Sequence, residues 1–266
     1  MTGPGATGAS DVPEVLQAIT LRLDDTRDLL EVATQHLTVL QERVKRHDYA
    51  INDLHWDAAR ILTSGDNPTI VTPTERATVR AVQDGSKELA GEIRRSAATA
   101  ETAHELLSRA GRQLTHVDGL IESLRTADAE PLSAEAAVEV ATLAGRTERL
   151  SMLVEVATPL AERAQRQLND AQEILQRQVS DSTSPDVSRV QQFWFLDVDL
   201  FDGSRAVAHA RATIRDGAEL TGRAVDVGTL TAVQVRGVLN LHAQPPQHRH
   251  HPTSTAGPAA PAGPSI

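Results

Sequence analysis

The residues best equipped for chemistry fall into a few short clusters. His47, Asp48, His55 and Asp57 lie close together beside Tyr49 and Trp56, a set that could ligate a metal or move a proton. Single polar residues at seam positions of coiled helices also fix register. His47 is read that way here, as a polar layer. Glu101 and His104 form one E-x-x-H. Di-iron helical bundles need two copies of that motif and further inward glutamates, and the chain has no second copy. Asp197, Asp199, Asp202 and Gly203 resemble a calcium loop. The third acid and the glycine come one place late, and Ala208 stands where the closing glutamate belongs. His248, His250 and His251 could hold a divalent transition metal loosely, but the surrounding Pro/Ala/Ser sequence supplies no scaffold.

The remaining motifs lack their context. Gly3, Gly5 and Gly8 match G-x-G-x-x-G with no strand before them. The glycan acceptor pattern at Asn67 is blocked by Pro68. No nucleophile elbow, phosphate loop, H-E-x-x-H or kinase pattern occurs. Cysteine is absent, which excludes disulfides, thiol nucleophiles and thiolate metal sites. The sequence therefore predicts no enzyme activity and no cofactor. With 26 basic and 36 acidic residues the net charge is −10. Phosphate backbones are bound by clustered positive charge, so no nucleic-acid partner is expected. Arg43, Lys45 and Arg46 are read as a solvated helix face. No apolar run reaches the length of a membrane span, and the N-terminus lacks a secretory signal pattern. These point to a cytoplasmic protein with no stable membrane insertion. Lysine occurs only at 45 and 87, an arginine bias expected of a GC-rich bacterial genome.

The elements that would carry these residues are set by a seven-residue apolar repeat. Leu16, Leu23, Leu30, Leu37, Val44 and Ile51 share one position; Ile19, Ala33, Leu40, Leu54 and Ile61 fall three residues later. Such 3/4 spacing lines one face of a helix. No proline interrupts 14–62, so the first helix should be about 75 Å long at about 1.5 Å per residue. Thr72, Pro73 and Glu75 then supply N-cap, first helical position and reciprocal cap, and the repeat resumes from Val79 to Leu124. A third helix follows Ser133, carries Val140, Leu143, Leu150, Val154, Leu168 and Leu175 in its seam, and should kink at Pro159. Short connections make three such helices antiparallel neighbours.

Residues 187–242 read differently. Phe193, Trp194, Phe195 and Phe201 are four of only six aromatic residues in the chain. Trp194, Leu196, Val198 and Leu200 alternate with the residues between them. Asp202-Gly203 and Asp216-Gly217 look like hairpin turns, and five glycines lie between 203 and 237. Glycine costs about 1 kcal/mol inside a helix. This predicts a small antiparallel β module with its own core around Trp194, Leu196, Val198 and Leu200. The alternative is a fourth long helix, because Phe193, Leu200, Val207 and Ile214 also keep heptad spacing. Residues 1–12 and 243–266 are expected to be a disordered lead and tail.

The expected fold is thus mainly α (α+β), an antiparallel bundle of three long heptad helices over 13–180 followed by a β module over 187–242; the alternative is an all-α four-helix bundle. The expected function is a non-enzymatic structural or interaction protein. Phe193, Trp194, Phe195 and Phe201 would be its contact residues, with a protein partner and self-association. A helical effector or pore-forming protein that refolds at a membrane is the alternative function.

Overall fold

The computed structural model describes residues 12–64, 72–126, 134–182 and 189–243. They form four long helices: α1 (Val12–Ser64), α2 (Pro73–Thr126), α3 (Ala134–Ser182) and α4 (Arg189–Ala243). There is no strand among the described residues. The expected N-terminal lead up to residue 11, the connections between helices and the tail from 244 lie outside the described residues.

Each helix is built on an unbroken 3/4 stripe. In α1 the buried residues run Leu16, Ile19, Leu23, Thr26, Leu30, Ala33 and onward to Ile61. In α2 they run from Val82 to Leu124 and in α3 from Ala136 to Ser182. A strict seven-residue repeat sustained over this length keeps one stripe facing the partners and imposes a left-handed supercoil. Contacts join α1 to α2, α2 to α3, α3 to α4 and α4 back to α1, with none across either diagonal among the described residues. This is an up-down-up-down four-helix bundle. At about 1.5 Å per residue its 53-residue first helix spans about 80 Å. The core consists of two clusters of buried apolar side chains, one including Leu16, Leu114, Leu143 and Val235 and the other Leu40, Ile93, Leu168 and Leu200, with alanines among both, so the rod is slender.

The expected β module is not formed: residues 189–243 are a continuous helix. The reason lies in its seam. Phe193, Leu196, Leu200, Gly203, Val207, Ala210, Ile214, Gly217, Thr221, Ala224, Gly228, Thr231, Val235 and Val238 are all buried and follow each other at spacings of four and three. Gly203, Gly217 and Gly228, which resemble turn residues, are core positions of this stripe. A Cβ on Gly203 would come within 2.8 Å of Ile51 Cδ1, and one on Gly217 or Gly228 would touch Leu160 or Leu150. The glycines let α4 lie close against its neighbours, and all glycines of the helices keep negative φ. Local alternation over six or eight residues cannot distinguish the two periods; the 3/4 stripe sustained over the whole segment can. The helix α3 also runs through Pro159.

The expected cap at the start of α2 is present in full. The Glu75 amide donates to Thr72 Oγ1 at 3.2 Å, and the Thr72 amide donates to Glu75 Oε2 at 2.7 Å. Replacing Thr72 with alanine leaves an orphan amide and should lower stability by about 0.5–2 kcal/mol. Because the two side chains form one motif, Thr72→Ala and Glu75→Ala together should cost less than the sum of the single losses. Urea unfolding of the three variants measures this, and strictly additive losses would show that the bonds do not act as a unit.

Candidate functional site

The antiparallel packing of α1 on α4 brings two separate aromatic clusters to one end of the rod. Tyr49 and Trp56 lie one heptad apart on α1; Trp194 and Phe201 lie one heptad apart on α4. Their exposures are 59 % and 71 %, and 57 % and 53 %. Phe195 is half-buried and meets Trp194 edge-on, with ring centroids 5.6 Å apart. Phe193 is 4 % exposed and belongs to the core. All six aromatic residues of the chain thus lie in the last third of α1 or the first turns of α4. The rest of the rod carries aliphatic side chains alone as its apolar surface.

Polar bonds between α1 and α4 hold this end in register. His55 Nε2 lies 2.9 Å from Asp197 Oδ1, and its ring is 6.3 Å from that of Phe201. Ser204 donates to Asn52 Oδ1, and Arg211 Nη1 pairs with Asp48 Oδ2 at 2.8 Å. The half-buried carboxyl of Asp199 sits nearby. Burial raises its pKa above the ordinary value, Arg177 opposes the shift, and Asp181 and Asp202 reinforce it.

Of the expected contact residues, Trp194, Phe195 and Phe201 reach the surface, whereas Phe193 does not. The proposed β core around Trp194 is therefore corrected: Leu196 and Leu200 are buried, Val198 is half-buried and Trp194 faces solvent. Trp194→Ala should accordingly cost only about 1–2 kcal/mol, because more than half of the residue stays in water. A loss in the range of about 3–5 kcal/mol, the cost of truncating a buried ring, would contradict its surface position in thermal or chemical unfolding. Sequence spacing did not link Trp56, Tyr49 and His55 to the α4 aromatics, although both clusters stand out in composition. Their placement at one end depends on the register between helices whose aromatic residues lie more than 130 positions apart in the chain.

The clusters that could have served as metal or catalytic centres are dispersed. His47 points to α2, Asp48 and His55 to α4, and Asp57 lies 3.8 Å from Arg60 on its own helix. His104 Nδ1 approaches the Thr158 carbonyl oxygen at 3.3 Å, and Glu101 is exposed. Asp197, Asp199 and Asp202 lie on a helix, not in a loop. No group of three acidic or imidazole side chains suited to a metal ion occurs among the described residues. His248, His250 and His251 fall outside them.

His47 is a buried seam residue, as expected. Its Nε2 lies 2.9 Å from Ser96 Oγ, and its Nδ1 lies 3.5 Å from Glu92. Burial holds its pKa below the ordinary histidine value; Glu92 opposes the shift, while Arg46, Arg43 and Arg95 add to it. The folded protein therefore favours the neutral ring, and the unfolded chain binds the proton more readily, near pH 6.5. The stability that this site contributes is complete above about pH 6.5. It falls by at most about 1.4 kcal/mol per pH unit as pH drops from there toward the folded pKa. His47→Gln should flatten the stability profile between about pH 5 and 6.5, and parallel profiles for both proteins would refute the assignment.

Comparison with protein-family models, with curated proteins and with solved structures finds no match to the chain. No helix among the described residues is long and apolar enough to cross a membrane.

Proposed function

We propose that this protein is a non-enzymatic interaction protein: a helical rod that presents its aromatic end to a protein partner. One observation carries the reading. Four exposed aromatic side chains from two helices share one end, in a chain that has only six aromatics in all. Tyrosine and tryptophan are the side chains that contribute most to interface hot spots, because they bury large area at small entropic cost. The bonds from Asp48, Asn52 and His55 to α4 prearrange the surface, which limits the ordering cost of binding. A rod of about 80 Å separates this end from the opposite one, as a spacer or adaptor requires.

The test is site-specific photo-crosslinking in source cells. Crosslinkers at 56, 194 and 201 should capture a protein that crosslinkers at Met152 and Leu230, exposed apolar positions elsewhere, do not. The purified partner should then bind wild type, and Trp56→Ala with Trp194→Ala should weaken binding by at least about 30-fold, as expected for hot-spot residues. Capture that is equal along the rod, or absent, overturns the reading.

A second reading, a helical effector or pore-forming protein that refolds at a membrane, has one observation in its favour. The seam of α4 from Gly217 to Thr231 contains only Gly, Thr and Ala, so that half of α4 is held by little apolar area. Dye release from phospholipid vesicles would support it against the adaptor reading.

A further inference from the structure

The face shared by α1 and α2 carries two neighbouring clefts of opposite charge. One, of about 260 Å3, is lined by Arg43, Arg46 and Arg95 around the buried His47. The next, of about 300 Å3, is rimmed by Asp53, Asp57 and Glu88 over an apolar floor that includes Leu54 and Leu89. Glu92 lines both and marks the boundary. These charges have few opposite partners within the molecule. Among the described residues Arg43 reaches only the Thr99 hydroxyl, and Arg46 only the Glu42 carbonyl on its own helix. Asp57 has Arg60 at 3.8 Å. Along α1 the block centres are about ten residues apart, roughly 16 Å, beyond the Debye length of about 8 Å at physiological salt. The two blocks therefore do not neutralise each other.

From this arrangement we infer that the α1/α2 face is a self-complementary interface for a second copy of this chain, packed antiparallel. A two-fold axis through the boundary near Ala50 and Glu92 places the arginines of each copy over the carboxylates of the other. Both contacts form at once, as an isologous interface requires. The apolar floor between the carboxylates adds buried area at the centre of each contact. A basic helix from another protein would satisfy only the acidic cleft and leave the three arginines unpaired. A second copy satisfies both, and this selects it as the occupant. The face adjoins the aromatic surface along α1, where Asp53 and Asp57 flank Trp56, but it turns toward α2 whereas Trp194 and Phe201 lie on α4, and separate substitutions tell this inference from the adaptor reading.

Sedimentation equilibrium of the full chain tests it, with circular dichroism as a check on folding. All substitutions are at exposed positions. Wild type should dimerise at a concentration on the order of 100 μM, with a dissociation constant that rises at least about tenfold between low and high salt. Arg46→Glu with Arg95→Glu reverses the net charge of the basic cleft, where Arg43 remains, and Asp53→Arg with Asp57→Arg cancels the net charge of the acidic cleft, where Glu88 and Glu92 remain. Each double variant alone should be monomeric, and an equimolar mixture of the two should recover the dimer. Trp56→Ala with Trp194→Ala should leave the dimer intact. A monomeric wild type, dimers that survive in both charge variants, or a mixture that stays monomeric overturns the proposal. Loss of the dimer only in the tryptophan variant would place the second copy on the aromatic end and overturn it equally.

Discussion

Ending the chain at Asp186 is expected to abolish cooperative folding rather than to remove a separable module. Without α4, the bundle loses the helix that packs on both α1 and α3. Phe193, Leu196, Leu200, Val207, Ile214, Val235 and Val238 are all buried in the intact protein. Burying a side chain of this kind contributes about 1.5–3 kcal/mol, so the seven together contribute roughly 10–20 kcal/mol. That is as large as the whole net stability of a typical domain, about 5–15 kcal/mol. The open groove left behind would run the length of the rod, lined by Ile19, Leu30, Ile51, Leu150 and Leu168 among others. The shortened protein should aggregate, or melt without a sharp transition, and the intact protein should give a helical circular dichroism spectrum with no strand contribution. A soluble, sharply melting 1–186 fragment would show that three helices suffice and that α4 is an accessory.

Replacing Gly91, Gly119, Gly145, Gly222 and Gly237 together with alanine should stabilise the protein by about 2.5–5 kcal/mol. All five lie inside helices, and a Cβ on any of them meets no other group within 4 Å. Alanine is favoured over glycine by about 0.5–1 kcal/mol at such positions, chiefly because glycine has more freedom to lose on folding. The sites are well separated, so the gains should add. Gly203 is the contrasting case. There a methyl group must push Ile51 Cδ1 from 2.8 Å, which cancels part or all of the propensity gain, and Gly203→Val should be destabilising through overpacking of the α1/α4 contact. Chemical unfolding of the fivefold variant and of the two Gly203 variants separates these effects. No gain from the fivefold change would show that glycine flexibility in the unfolded chain does not limit the stability of these helices.

The charged clusters deceived in another way. His47, Asp48, His55 and Asp57 are near neighbours in the chain, yet on a helix successive residues turn by about 100°. They consequently serve three different surroundings: Ser96 and Glu92 on α2, Arg211 and Asp197 on α4, and Arg60 on the outer surface of α1. Their proximity in sequence carries no convergence in space.

Much of the architecture was nonetheless written locally. The heptads of α1, α2 and α3, the polar layer at His47, and the capping box at Thr72 are properties of residues within a few turns of each other. Helical periodicity is a short-range signal of this kind. The state of 189–243 was decided by tertiary packing. Taken alone, its glycines and β-branched residues disfavour a long helix. Only against Ile51, Leu150 and Leu160 do Gly203, Gly228 and Gly217 become close-packing positions in a stripe. The contact end was likewise half legible. The aromatic residues at 193–201 stand out in the sequence, but their union with Tyr49, His55 and Trp56, and the burial of Phe193 beside the exposure of Trp194, follow from the register of α4 on α1. That register is set by side chains far apart in the chain, which no local pattern encodes.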